Sequence, residues 1–268
     1  MADILRRSLA PITDEAWKEI DKQAARILKG NLSGRGLVDF SGPHGWTLAA
    51  VNLGRVKAAN TEPVKGVSWG AREVLPLAEV RVPFSLKVWE LDNVSRGAKD
   101  PDLNAMIGAA RKLAIFEDKA VYHGFKEGGI GGMLELSSHK AVPLAKDPAK
   151  FVGSVEGGIL SIQKSGIGGP YALVLGTEPY ELYMIGEPSD YPLKKRIDAL
   201  ATGGVHWSPA LEGGAILSRR GGDFEFTCGQ DASIGYRAHD REAVELYFTE
   251  SFTFRVLEPA AAVELKAK

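Results

Sequence analysis

The sequence predicts an α+β protein in which a compact mixed unit is inserted into a larger domain. Three observations lead there. A strand of strict alternation runs into the longest helical segment of the chain; a region of short strands and helices begins after a glycine cluster; and the C-terminal stretch returns to strands.

The first helix is expected over residues 14–29. Thr13 is placed to cap it, and Asp14 and Glu15 lie in the first turn, where carboxylates suit the helix dipole. Trp17, Ile20, Ala24, Ile27 and Leu28 recur on one face, and Gly30 is the expected stop. Residues 47–77 read as two strands, 48–56 and 67–74, around a polar stretch at 60–65. This arm carries too few apolar residues for a core of its own, so neighbours must stabilise it.

Val80, Val82, Phe84, Leu86 and Val88 alternate with Arg81, Pro83, Ser85 and Lys87, the period of a half-buried strand. Trp89 follows on the polar side. It reads as packing against a neighbouring subunit in preference to stacking on a planar ligand. The long helix comes next, with Asp100 as cap, Pro101 in the first position and Gly124 as stop after His123. Leu103, Met106, Ile107, Ala110, Leu113, Ala114 and Val121 face inward, and the helix would span roughly 34 Å.

Gly128 to Gly132 read as a flexible turn between domains. A helix at 147–163 carries Phe151, Val152, Val155, Ile159 and Ile162 on one face. A strand at 171–175, short helices at 177–183 and 192–200, and strands near 205–207 and 215–218 complete the inserted unit. Arg219-Arg220-Gly221-Gly222 reads as a hairpin turn with exposed charge. Finally Val244, Leu246, Phe248, Phe252, Phe254 and Val256 form an apolar face that Glu250 interrupts. A carboxylate there needs a partner, expected to be an arginine of the same domain or of a neighbour.

Composition narrows the function. A formal charge of −1 leaves no basic excess for neutralising phosphates, which argues against nucleic-acid binding. Cys228 is the one cysteine, so neither an intramolecular disulfide nor a cysteine-based zinc site can form, which fits a reducing cytoplasm. Residues 1–17 lack the apolar core of a signal peptide, and no run approaches the roughly 18 apolar residues of a membrane span. The 31 glycines point to many tight turns, as in a tiled, loop-rich subunit.

Catalytic motifs are absent from the sequence: no nucleophile elbow, Walker A loop, H-E-x-x-H pair or EF-hand loop. His44, His123, His139, His206 and His239 are scattered, so no metal site is expected, and no cofactor is required. The glycine cluster follows a helix and lacks a phosphate-binding lysine. Glu117-Asp118 reads as a solvated face or a salt bridge across subunits, and Cys228 as a small packed residue. The chain is therefore not expected to be an enzyme.

Ordered motifs carry a resemblance. They are Arg7-Ser8-Leu9-Ala10-Pro11-Ile12-Thr13, Gly34-Arg35 with Val38-Asp39, Gly42-Pro43, Gly45-Trp46, Trp89-Glu90-Leu91-Asp92-Asn93 and Phe116-Glu117-Asp118. Gly169-Pro170-Tyr171, Tyr191-Pro192-Leu193, Arg220-Gly221-Gly222-Asp223-Phe224, Gly229-Gln230-Asp231, Ser233-Ile234-Gly235-Tyr236, Thr249-Glu250 and Phe252-Thr253-Phe254 continue them. In this order the chain resembles, from end to end, the shell proteins of encapsulin nanocompartments (family 1, linocin-M18-like).

The resemblance implies an HK97-type capsid fold. Residues 1–46, 78–135 and 220–268 would form the peripheral domain with the N-terminal helix, 47–77 the extended loop, and 136–219 the axial domain. It implies a self-assembling icosahedral homo-oligomer, with sixty copies favoured, located in the cytoplasm. Its partner would be a peroxidase or ferritin-like cargo protein serving iron storage or the oxidative-stress response. A C-terminal peptide on that cargo would dock at Leu28, Arg35, Asp39, Ile234 and Tyr236. The five-fold pore would be formed by Gly186, Glu187, Pro188, Ser189 and Asp190, whose carboxylates would gather cations. A prophage major capsid protein is the first alternative reading, and a peptidase the second.

Overall fold

The computed structural model describes residues 4–185 and 193–267. In chain order the elements are α1 (Asp14–Asn31), β1 (Asp39–Ser41), β2 (Ala50–Ala58), β3 (Gly70–Pro76), β4 (Ala78–Lys87), α2 (Val88–Ser95), α3 (Asn104–His123), β5 (Val142–Leu144) and α4 (Pro148–Lys164). There follow β6 (Tyr171–Leu175), α5 (Thr177–Ile185), α6 (Leu193–Leu200), β7 (Val205–Trp207), β8 (Gly214–Ser218), β9 (Phe224–Cys228), β10 (Ser233–His239), β11 (Ala243–Val256) and β12 (Ala262–Ala267).

They form two five-stranded sheets and one isolated pair. The first sheet runs β1-β9-β11-β10, and β4 lies on the side of β11 opposite β10. The second runs β5-β12-β8-β6-β7. Strands β2 and β3 pair only with each other. Their arm leaves Val56, Val64, Val67, Trp69 and Val74 exposed, a set of apolar side chains with no cover from this chain.

Two hydrophobic cores result. In one, Trp17, Ile20 and Leu28 of α1 meet Met106 and Leu113 of α3 over Leu86, Leu246 and Phe248 of the first sheet. In the other, Phe151, Val155 and Ile162 of α4 cover Leu173, Ile216 and Val263 of the second sheet, which continue into Phe226, Phe252 and Phe254. Helix α3 and strand β11 contribute to both cores, Leu113 and Phe248 to the first, Val121 and Phe252 to the second. Strand β11 is buried on both faces through its centre because it has partners along both edges and a core on each side.

Several local expectations change. Helix α1 passes through Gly30 to Asn31, whose side-chain amide donates to the Ile27 carbonyl at 2.7 Å. Helix α3 begins at Asn104 instead of Pro101, because the Asp102 carboxylate accepts from the Asn104 amide at 3.1 Å and holds the preceding chain in a turn. Its 20 residues give about 30 Å. Strand β4 stops at Lys87, so Trp89 sits on α2, exposed, with the Arg96 guanidinium 5.4 Å from its ring centroid. Phe125 and Ile130 exchange backbone hydrogen bonds at 2.8 and 3.0 Å, so the glycine cluster is a closed turn packed on buried Ile130.

The segment Arg219 to Gly222 is not a hairpin turn. It crosses from β8 in the second sheet to β9 in the first. Gly222, at φ 80°, donates its amide to Asp39 at 2.6 Å, a conformation that favours glycine and accounts for the Gly221-Gly222 motif. The last strand also departs from the expected division. β12 pairs antiparallel with β8 and parallel with β5, so residues 262–267 complete the sheet of the inserted unit instead of the first sheet. The reason is hydrophobic, since Val263 and Leu265 are fully buried against that unit's core.

Candidate functional site

The two cores meet along a seam that is ionic. On α3, Glu117 and Asp118 fall between Ala114 of one core and Ala120 of the other, and on β11 Glu250 falls between Phe248 and Phe252. Both α3 carboxylates are fully buried, so the expected solvated face or intersubunit bridge is wrong. Their partners come from the same chain. The Arg35 guanidinium donates from Nε to Glu117 at 2.9 Å, from Nη1 to Asp231 at 2.8 Å, and from Nη2 to both Glu117 and Glu250. Glu250 thus has the intramolecular arginine that its place on the apolar face demanded.

Asp118 ties a second set. It accepts from the Ser33 and Gly34 amides at 3.1 and 2.8 Å and from the Ser208 hydroxyl at 2.8 Å. The Ser33 hydroxyl donates to it at 2.5 Å. These bonds fasten the loop after α1, helix α3 and the β7–β8 connection of the inserted unit to one carboxylate.

The electrostatics follow from burial. Arg35 faces Glu117, Glu250 and Asp231, a formal excess of two negative charges in a mostly dry site. Desolvation acts to lower the arginine's pKa, but hydrogen bonding and charge from Glu117, then Glu250 and Asp231, outweigh it and raise it. Burial, followed by the charge of Glu117, pushes Glu250 well above the usual carboxylate range. Burial likewise pushes Asp118 up to about 6, against the pull of its hydrogen bonds from Ser33, Gly34 and Ser208. Cys228, fully buried, is pushed up to about 12 by desolvation and then by Asp231 and Glu250, which makes it an inert thiol. Its sulfur, Asp231 and Glu250 lie within 4.8 Å of one another, but Arg35 already serves both carboxylates.

Over the exposed side of this cluster runs an open groove of about 370 Å³ between α1 and β10. Ala24, Ala25 and Leu28 of α1 form one wall, Ser233 and Ile234 of β10 the other, and Arg35 with Asp231 the polar end. Three of the five expected docking residues, Leu28, Arg35 and Ile234, therefore come together here. Asp39 does not. It lies on β1 beside Arg219, holds the Gly222 amide, and makes no pair with Arg35. Tyr236 is on β10 beyond the groove, sharing a hydrogen bond of 2.6 Å with His239. Leu5, Arg7, Asp21, Leu32, Ala232 and Phe248 also line the groove; Leu5 and Ala25 were not singled out from sequence, and only contact across the fold reveals them.

The expected pore residues Gly186, Glu187, Pro188, Ser189 and Asp190 lie outside the described residues. Their flanks are fastened together. The Tyr183 hydroxyl of α5 donates to Asp198 of α6 at 2.5 Å and accepts from Lys194 at 2.6 Å. Among the described residues no helix is long and apolar enough to cross a membrane.

The overall fold recurs in solved structures. A virus-like particle protein from Pyrococcus furiosus superposes with a TM-score of 0.67 at 15% identity, covering 93% of this chain and 99% of that one. The capsid protein of Myoviridae phage XM1 gives 0.55 at 12% identity over 87% and 90% of the two chains. The fold is therefore the HK97-type capsid fold. Sequence specifies more. Residues 2–253 match the family model described as "Encapsulating protein for peroxidase". The type 1 encapsulin shell protein of Rhodospirillum rubrum is 45% identical over 268 residues, 98% of this chain and 96% of that protein. That of Mycobacterium tuberculosis is 38% identical over 263 residues, 97% and 98% of the two. The chain belongs to the encapsulin shell-protein family, whose members assemble capsid-like compartments.

Arg35 cannot serve as a clean probe of the groove, since Arg35→Ala would leave Glu117 and Glu250 buried without their counter-ion, at a cost of about 3–5 kcal/mol. Asp118 offers a pH test. Its pKa rises from 3.8 unfolded to about 6 folded, so the folded chain binds the extra proton. The stability so gained is complete below pH about 4 and is lost as pH rises through 6, up to about 3 kcal/mol. Thermal unfolding of assembled particles should therefore shift to lower temperature between pH 4.5 and 6.5, with Glu250 acting in the same direction. Asp118→Asn, which keeps an acceptor for the two amides, should flatten that slope; an unchanged slope would contradict the assignment.

Proposed function

We propose that sixty copies of this chain close into an icosahedral compartment that takes up a cargo enzyme through the groove between α1 and β10. The observation that carries this reading is the groove itself. Leu28 and Ile234 offer apolar walls to the side chains of an extended peptide, and Arg35 and Asp231 present charge at one end. The cargo is a peroxidase or ferritin-like protein bearing a C-terminal docking peptide, and the compartment serves iron storage or protection from oxidation. The family's printed description, an encapsulating protein for peroxidase, supports the first of these cargoes. Residues 47–77 act as the extended loop lying on a neighbouring subunit, which their uncovered Val67 and Trp69 support. The described part of 136–219, joined by β12, forms the axial domain.

Small solutes pass through pores at the symmetry axes, lined in part by residues 186–190. Glu187 and Asp190, repeated around a five-fold axis, would concentrate cations.

Ala25 is exposed in the groove and belongs to neither core, so it tests docking without disturbing the seam. Ala25→Glu should leave closed particles visible by negative-stain microscopy while reducing co-purified cargo at least about tenfold, the effect of one poorly accommodated charge. Normal loading of that variant would remove the groove as the docking site. For the pore, Glu187→Gln with Asp190→Asn should slow ferrous-ion uptake into loaded particles; equal rates would rule out the acidic ring.

A further inference from the structure

Among the described residues no strand lies on the outer edge of β10, but that edge is partly occupied. The Tyr236 amide donates to the Leu5 carbonyl at 2.8 Å, and the Tyr247 hydroxyl donates to the Ile4 carbonyl at 3.4 Å. In an antiparallel pair, alternate residues turn their backbone groups outward, so Ile234 presents its N–H and C=O to the same edge as Tyr236. Among the described residues neither group of Ile234 takes a partner. Leu5 also lines the groove, beside Leu28 and Ile234. The N-terminal segment thus fills one end of a strand edge whose other end is open within the groove.

The hold on that segment is uneven. Arg7 is well fixed, paired with Asp21 at 2.7 Å and stacked 3.9 Å over the Trp17 ring. Arg6, just before it, is the one non-glycine described residue at positive φ, 52°, a left-handed conformation that side chains disfavour. Beyond Arg6, Ile4 is 38% exposed, and one hydrogen bond of good length secures Leu5. Lifting residues 4–5 about Arg6 breaks the Tyr236 and Tyr247 hydrogen bonds, while Arg6, whose carbonyl accepts from the Leu9 amide at 3.1 Å, and the anchor at Arg7 keep the segment close by.

We propose that Ile4–Leu5 is a tethered occupant of the β10 edge, which an extended apolar peptide displaces as it adds to β10 as a further strand. The proposal rests on the docking reading above and supplies its regulation. A resident competitor lowers the apparent affinity of any peptide by the fraction of time it is seated. It also covers a strand edge that would otherwise invite pairing between empty subunits. The guest's backbone would bond Ile234 and Tyr236, and its apolar side chains, at every second position, would meet Leu28 and Ile234.

The test uses whole shells co-expressed with a limiting amount of a fluorescent protein ending in the C-terminal tail of the source organism's peroxidase, with a tail-less control. Deleting residues 2–5 should raise captured reporter about threefold, as expected when a competitor seated most of the time is removed. Should the deletion impair assembly, the Ile4→Gly, Leu5→Gly variant keeps the chain length and should raise capture in the same direction. Hydrogen exchange at the Tyr236 amide should also quicken in these empty shells and slow again on loading. Equal or lower capture by intact variant shells overturns the proposal, because the segment would then be inert or a supporting wall. If unaltered shells capture neither this reporter nor one ending in the tail of a ferritin-like protein better than the control, the docking reading itself fails.

Discussion

The structure depends on one buried cation. Arg35 reaches from the loop after α1 to Glu117 on α3, Glu250 on β11 and Asp231 at the start of β10. Removing such charges from water is costly, and the cost is met only when each finds a partner with good geometry. That requirement constrains the relative placement of helix, spine and sheet, together with the close-packed apolar cores on either side. Asp118, one residue on, adds the inserted unit through Ser208. Two adjacent carboxylates on one helix therefore join both cores, and the groove between α1 and β10 inherits its shape from that joint.

A subunit built this way keeps its chemistry out of the interior. The buried thiol is inert, and the buried acids are engaged: Glu117 and Glu250 with Arg35, Asp118 with the Ser33 and Gly34 amides and the Ser33 and Ser208 hydroxyls, and Asp223 with Arg220. What remains available is surface: an arm with uncovered apolar residues, an apolar groove, and a strand edge half covered by the chain's own N-terminus. In the proposed function the arm holds neighbouring subunits and the groove a guest. Glycine serves two needs in this fold: positive φ at Gly221 and Gly222 in the crossover between the sheets, and close backbone approach at Gly124 and Gly132 in the turn after α3.

Much of this was legible in the sequence. The alternation in β4, the amphipathic face of α1 and the poverty of the arm each state a local burial pattern, and the structure agrees. The alternation read in β11 does not hold, because partners along both edges and a core on each side bury Tyr247, Thr249, Ser251 and Thr253 as well. Glu250 was legible as an anomaly, because one carboxylate in an apolar row has few ways to be stable. Glu117 and Asp118 were not. On a helix, a buried acid and a solvated one have the same spacing, and only the arrival of Arg35 and Ser33 from a distant loop distinguishes them. The same limit hid the destination of β12, set by pairing with β8 and with the distant β5, and the groove residues Leu5 and Ala25, which meet β10 across more than two hundred residues. Trp89 failed for a local reason, since a strand that turns directly into a helix carries no glycine or proline to mark the change.

The central claim is that the groove faces the inside of a closed shell. Cys228 is fully buried, so Ala25→Cys would place a single accessible thiol in the groove. Intact particles should resist labelling by a polymer-linked maleimide too large for any pore, and react fully once dissociated. Equal labelling of intact and dissociated particles would place the groove on the outside and contradict the proposed route of cargo capture.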